Sequence, residues 1–204
     1  MISAVLLAAG EPREGERMGP RTIFLRGKLL QQAVNNLLDS NVNEIVAVLG
    51  YEAEKMRRDL EDLDEKLRVV INPEYHLGLS TSIKTGLQSI SQESDAVLVA
   101  LGDRPLIEGD LIDRLIEGYL KGKAKIVAPV YRGLRGHPTL FDVKYKSELM
   151  RLTGDVGARE IIKYHEKDLL EVEVDSPSIL IHVNERGDYL LQLRRFFLLD
   201  MSRS

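Results

Sequence analysis

Short, almost wholly apolar runs alternate along this chain with segments of helical period. Ile2 to Ala8 (ISAVLLA), Glu44 to Leu49 (EIVAVL) and Ala96 to Leu101 (AVLVAL) are the clearest of the runs. At this length, rich in Val, Leu and Ala and without polar alternation, they predict strands buried on both faces, the habit of parallel sheets. Leu67 to Ile71, Lys125 to Val130, a short piece at Thr139 to Phe141, Leu169 to Val174 and Ile179 to Val183 are expected as further strands. Between them, Leu29, Leu30, Ala33, Val34, Leu37 and Leu38 share one helical face, as do Ile83, Leu87 and Ile90, with Ser80 as the N-cap of the second helix. Leu111, Ile112, Leu115, Ile116, Tyr119 and Leu120 mark another helix, and shorter ones are predicted near 52–63, 144–152, 158–166 and 186–198. Glu11 to Gly27 is rich in Gly, Pro and alternating charge, and reads as an irregular loop. The sum is an α/β protein of three layers: a mostly parallel, Rossmann-like sheet with helices on both faces and a small antiparallel part after residue 125.

Composition narrows the class. At 204 residues the chain fits one domain with a sizeable core, and 44% hydrophobic with 29% charged residues describes an ordinary soluble protein. No apolar run approaches the roughly 18 residues needed to cross a bilayer. MISAVLLAAG carries no basic leader and enters a core strand directly, so a cytoplasmic protein without membrane partners is expected. The absence of Cys excludes disulfides, thiolate catalysis and Cys-ligated metals, and a net charge of −4 argues against nucleic acid as a partner.

Two stretches carry candidate chemistry. The run Ala96 to Leu101 ends in Gly102, Asp103, Arg104 and Pro105. A carboxylate just past the carboxyl end of a central strand lies where open α/β sheets bind ligands, although Asp is equally suited to cap the helix that follows. The first strand ends in Ala8, Ala9 and Gly10, small residues that let a ligand approach backbone N–H groups, and leads into a loop with Arg13, Arg17, Arg21, Arg26 and Lys28. Forked guanidinium donors suit a polyphosphate, but Glu11, Glu14 and Glu16 equally make this a self-neutralised, solvated loop. Neither a P-loop nor a GxGxxG string is present. His137, in GHP, is suited either to a substrate contact or to fixing its loop; Asp155 and Arg159, in GDVGAR, either pair near a substrate or serve as turn and cap. His76, His165 and His182 show no metal-triad spacing and receive no role.

Taken in order, VLLAAG, RMG (17–19), NPEYHLGLSTSIKTGL (72–87), LVALGDRPLI, GLRGHPTLF (133–141) and LTGDVGAR (152–159) resemble the MobA-like nucleotidyltransferases, and most of all their MocA-type molybdenum cofactor cytidylyltransferase branch. The resemblance covers nearly the whole chain. It implies a nucleotide-diphospho-sugar-transferase-like fold and transfer of a nucleoside monophosphate, with CTP the expected donor, to a phosphorylated acceptor such as molybdopterin, releasing pyrophosphate. It also implies Mg²⁺ on Asp103, with a second ligand from a late motif aligned with HVNERGD (182–188), where Asn184 replaces a carboxylate; an amide oxygen is still a hard ligand. By the same resemblance, Arg17 and the Ala8–Gly10 backbone hold phosphates, Arg21 assists, and base and ribose lie against Ala8, Ala9 and the Gly78–Ser82 segment, with Ser80 and Ser82 among the contacts. His137, Asp155 and Arg159 face the acceptor, and a molybdoenzyme or its chaperone is the implied protein partner. The chain departs from the family pattern LAAGxSxRMGxxK in a first loop three residues longer and in Thr22 at the position of the Lys. That departure leaves open a different acceptor, or a nucleotide-binding protein with little turnover.

Overall fold

A computed structural model describes residues 1–11, 20–60 and 63–183, with the backbone alone for 20–26. Its strands are β1 (Ile2–Ala8), β2 (Glu44–Leu49), β3 (Leu67–Ile71), β4 (Ala96–Leu101), β5 (Ile126–Tyr131), β6 (Leu134–Arg135), β7 (Thr139–Asp142) and β8 (Leu169–Glu173). Its α-helices are α1 (Pro20–Leu38), α2 (Ala53–Arg58), α3 (Leu79–Ser89), α4 (Gly109–Leu120), α5 (Lys146–Leu149) and α6 (Arg159–Tyr164). The sheet runs β3-β2-β1-β4-β7-β5, with β8 also paired to β5 and β6 closing a hairpin on β5. β1 to β4 are mutually parallel, and β7 is antiparallel to both β4 and β5. The mostly parallel sheet with a small antiparallel part therefore stands as expected.

The apolar runs are strands because each face of the sheet has its own core. Ala4 and Leu6 of β1 face α1, α2 and α4 through Leu30, Val34, Met56, Ile112 and Leu115, while Val5 and Leu7 face α3 and α6 through Ile83, Leu87, Ile161 and Ile162. That two-sided burial removes the polar alternation a half-exposed strand would show. α3 lies so close to the sheet that a Cβ on Gly86 would come within 2.2 Å of Val5 Cγ1. This contact fixes the height of α3 and, with it, its N-terminal end near the strand ends.

Four differences from the sequence reading have physical causes. α1 begins at Pro20, nine residues before Leu29, with proline at the first helical position, where its missing N–H is no loss. Gly27, expected as the end of the irregular loop, is instead a close-approach position within α1: a Cβ there would lie 2.0 Å from Asp59 Oδ2. Residues 179–183 form no strand. Pro177–Ile179 is a 3₁₀ turn, and the buried Ile179, Ile181 and Val183 belong to a strap packed over loop ends. β6 arises because Arg132 and Gly133, both at positive φ (50° and 76°), turn the chain back after β5 in a tight hairpin. Ser80 is not the N-cap of α3, a correction whose cause lies in the site described next; the helix expected at 186–198 lies outside the described residues. No helix among the described residues is long and apolar enough to cross a membrane.

Candidate functional site at the carboxyl ends of the strands

A cleft of about 770 Å³ opens where β1 and β4 end. Ala8, Ala9 and Gly10 form one wall, Gly102 and Asp103 the next, and Gly78, Leu79, Ser82 and Asp155 the third. Gly102 N donates to Leu7 O at 2.9 Å, and a Cβ on Gly102 would sit 3.0 Å from Ala8 Cβ, so the two strand ends are held together at the cleft floor. Asp103 is exposed and no cap: α4 begins at Gly109, and the residue before it is Glu108. Among the described residues no hydrogen bond or ion pair engages the Asp103 carboxylate, which leaves a hard oxygen donor facing the cleft.

The third wall is built by contacts that no local pattern could show. Asp155 Oδ1 accepts from Leu79 N at 3.2 Å, and Ser80 N donates to Gly154 O at 3.2 Å. The GDVG turn thus caps α3 from 76 positions away, in the place expected for Ser80. The Ser80 hydroxyl is buried, has no hydrogen-bond partner among the described residues, and does not line the cleft. Gly78 has φ 107° and ψ 172°, a region open essentially to glycine alone, and a Cβ there would lie 2.5 Å from Gly154 C. Ser82 is held by Asn72 Nδ2 at 3.0 Å. Asp155 makes its bond to the α3 backbone; no ion pair links it to Arg159, which is exposed at the start of α6.

His137 lies outside the cleft lining. Burial first, then Arg104 and Arg159, push its imidazole down to about 4, and Nδ1 is buried with no partner among the described residues. Its backbone N–H donates to Ile179 O at 3.1 Å, so the loop-fixing alternative describes what its backbone does. A neutral buried imidazole has a consequence for stability. The unfolded chain takes up this proton as pH falls through 6.5 and the folded chain only near 4, so stability falls as pH drops across that window. The contribution is on the order of 2 kcal/mol. In chemical denaturation at pH 7 and pH 4.5, His137→Gln is expected to show a smaller acid loss than the parent; equal losses would show that His137 contributes nothing to it.

Arg17 and Asn184 lie outside the described residues, and Arg21 is described by backbone only, in the first turn of α1. The sequence reading missed His182 and Val183, which line the cleft, and Tyr75, His76 and Leu77, which close its outer side. The one available signal was the position of His182 and Val183 just ahead of Asn184 in the late motif. Among the described residues no three His, Asp or Glu side chains converge as a metal cage. One exposed carboxylate beside a ligand cleft fits a cation that takes its remaining ligands from phosphates and water, which is how Mg²⁺ is commonly bound.

The chain is 22% identical over 198 residues to the molybdenum cofactor cytidylyltransferase of Escherichia coli, covering 96% of this chain and 97% of that one. Rv0371c of Mycobacterium tuberculosis has the same fold at TM-score 0.77 and 23% identity, covering 95% and 97% of the two chains. A second structure of Rv0371c is a complex with manganese, with TM-score 0.67, 22% identity and coverage of 86% and 88%. The 4-diphosphocytidyl-2C-methyl-D-erythritol synthase of Anaerococcus prevotii aligns at TM-score 0.72 and 18% identity over 96% and 95%. The model of the MobA-like NTP transferase domain matches residues 4–169, and the chain belongs to that nucleotidyltransferase family.

Proposed function

We propose that residues 1–204 act as one Mg²⁺-dependent cytidylyltransferase that moves CMP from CTP to a phosphorylated acceptor of molybdopterin type and releases pyrophosphate. The observation that carries this reading is the exposed Asp103 carboxylate at the end of β4, in one cleft with the small-residue turn Ala8–Gly10. Asp103 and Asn184 would hold Mg²⁺. When bound, the ion would neutralise phosphate charge and favour attack at the α-phosphorus. The Ala8–Gly10 backbone and Arg17, with Arg21 beside the Thr22 position, would hold the triphosphate; Gly78 and Ser82 would bound the base and ribose. Asp155 would set the acceptor wall by holding the Gly154–Gly157 turn against α3, with Arg159 facing the acceptor from the start of α6. Ser80 is too buried for a nucleotide contact, and His137 would act by shaping its loop. An acceptor phosphate has a second pKa of about 6, so it is already ionised near neutrality and needs no general base. Orientation and charge neutralisation then supply most of the rate. The product of such a reaction would pass to a molybdoenzyme or its chaperone, in the cytoplasm.

A second reading keeps the reaction and changes the acceptor to another small phosphorylated metabolite. It is favoured by the likeness to the A. prevotii synthase, whose acceptor its name gives as a methylerythritol rather than a pterin. Pyrophosphate release measured with each NTP, with and without molybdopterin and sugar or polyol phosphates, separates the two. Release confined to CTP, molybdopterin and Mg²⁺ together is the expected result. Nucleotide binding without release under any combination would show instead a protein that holds nucleotide and does not turn it over.

A further inference from the structure

Arg104, one residue past Asp103, has a half-buried guanidinium and no ion pair among the described residues. Its Nη1 donates to Ile179 O at 3.1 Å, while its Nε is buried with no acceptor among the described residues. A guanidinium loses much hydration in such a place, and a single carbonyl bond with one nearby carboxylate is a poor return unless the geometry it fixes is used. Ile179 O also accepts from His137 N at 3.1 Å, and Val183 N donates to Asp103 O at 2.8 Å. A Cβ on Gly136 would lie 2.5 Å from Ile179 O, so the GHP loop needs glycine to reach the strap at all. Three segments far apart in sequence, 103–104, 136–137 and 177–183, therefore meet at one carbonyl and one amide.

We propose that Arg104 is a positioning residue that clasps the 177–183 strap to the Asp103 loop, so that the cleft wall at His182 and Val183 is held in register with the Asp103 carboxylate. The proposal rests on the reading of Asp103 as a cation ligand only for its kinetic consequence; the clasp itself is a property of the chain. It makes an unusual demand on sign. Removing a positive charge beside Asp103 would by electrostatics alone tighten cation binding, whereas loosening the wall that faces the carboxylate would weaken it.

The test compares the parent with Arg104→Met, which keeps an unbranched apolar stem but donates nothing. Amide hydrogen exchange at Val183 and His137 is expected to accelerate about tenfold or more, while amides inside β4 keep their protection. The half-saturating Mg²⁺ concentration for pyrophosphate release is expected to rise about tenfold. Unchanged exchange at Val183 and His137 overturns the clasp. A lowered Mg²⁺ requirement also overturns it, since Arg104 would then act as a charge only. Should Arg104→Met fail to fold, Arg104→Gln, whose amide is too short to reach Ile179 O, gives the same exchange readout. If the parent shows no Mg²⁺ dependence, the reading of Asp103 fails, and the exchange result still decides the clasp.

Discussion

Asp103→Ala is expected to lower Mg²⁺-dependent pyrophosphate release about a thousandfold, the scale of removing one preorganised electrostatic partner of the transferring phosphate. Stability should stay within about 0.5 kcal/mol of the parent, because the carboxylate is exposed and caps no helix. The pairing of those two results is the informative part. Lost activity with lost stability would mean that the loop between β4 and α4 needs the side chain to fold, and retained activity would remove Asp103 from the chemistry. Asp103→Asn, which keeps an oxygen ligand without the charge, should fall between the two and respond to raised Mg²⁺.

Gly78→Ala is expected to cost about 3–5 kcal/mol, from two separate sources that add. A Cβ is strained at φ 107°, ψ 172° wherever it points. Here it also points at the Gly154 backbone, 2.5 Å away, which cannot rotate aside as a side chain could. The Gly154–Asp155 turn must then retreat, taking with it the Asp155 bond to Leu79 N and the Ser80 bond to Gly154 O. Urea unfolding should show the loss directly. Folded variant should need more acceptor for half-maximal rate, since the displaced turn is the proposed acceptor wall. A Gly78→Ala protein as stable as its parent would show that the turn is free to move, and that the third wall is not built as described.

What could be read from the sequence was what depends on near neighbours. β1, β2 and β4 declared themselves because strands covered on both faces need continuous apolar runs, and the cleft's position followed from where those runs stop at Gly10 and Gly102. The motif order gave the family, and the structural likenesses share its fold. Misreadings came where a residue's meaning is set from far away. Gly27 looks like the end of a loop until Asp59 is seen lying against it inside α1, and Ser80 looks like a cap until Asp155 takes that place from another loop. The strap 177–183 has the apolar content of a strand, yet its amides are spent on Pro177 O, Ser178 O and Asp103 O. Arg104 carried no signal of its own, because its partner is the carbonyl of Ile179, 75 positions on, and a backbone acceptor leaves no mark on side-chain pattern.

Both readings of the acceptor, and the kinetic consequence of the Arg104 clasp, depend on a cation at the end of β4. The most direct measurement is the position of Mn²⁺, located by its anomalous scattering in crystals grown with CTP. The ion is predicted in the cleft, held by an Asp103 carboxylate oxygen. An ion seated on the phosphates with the Asp103 carboxylate turned away from it, or held at another part of the surface, would contradict the account.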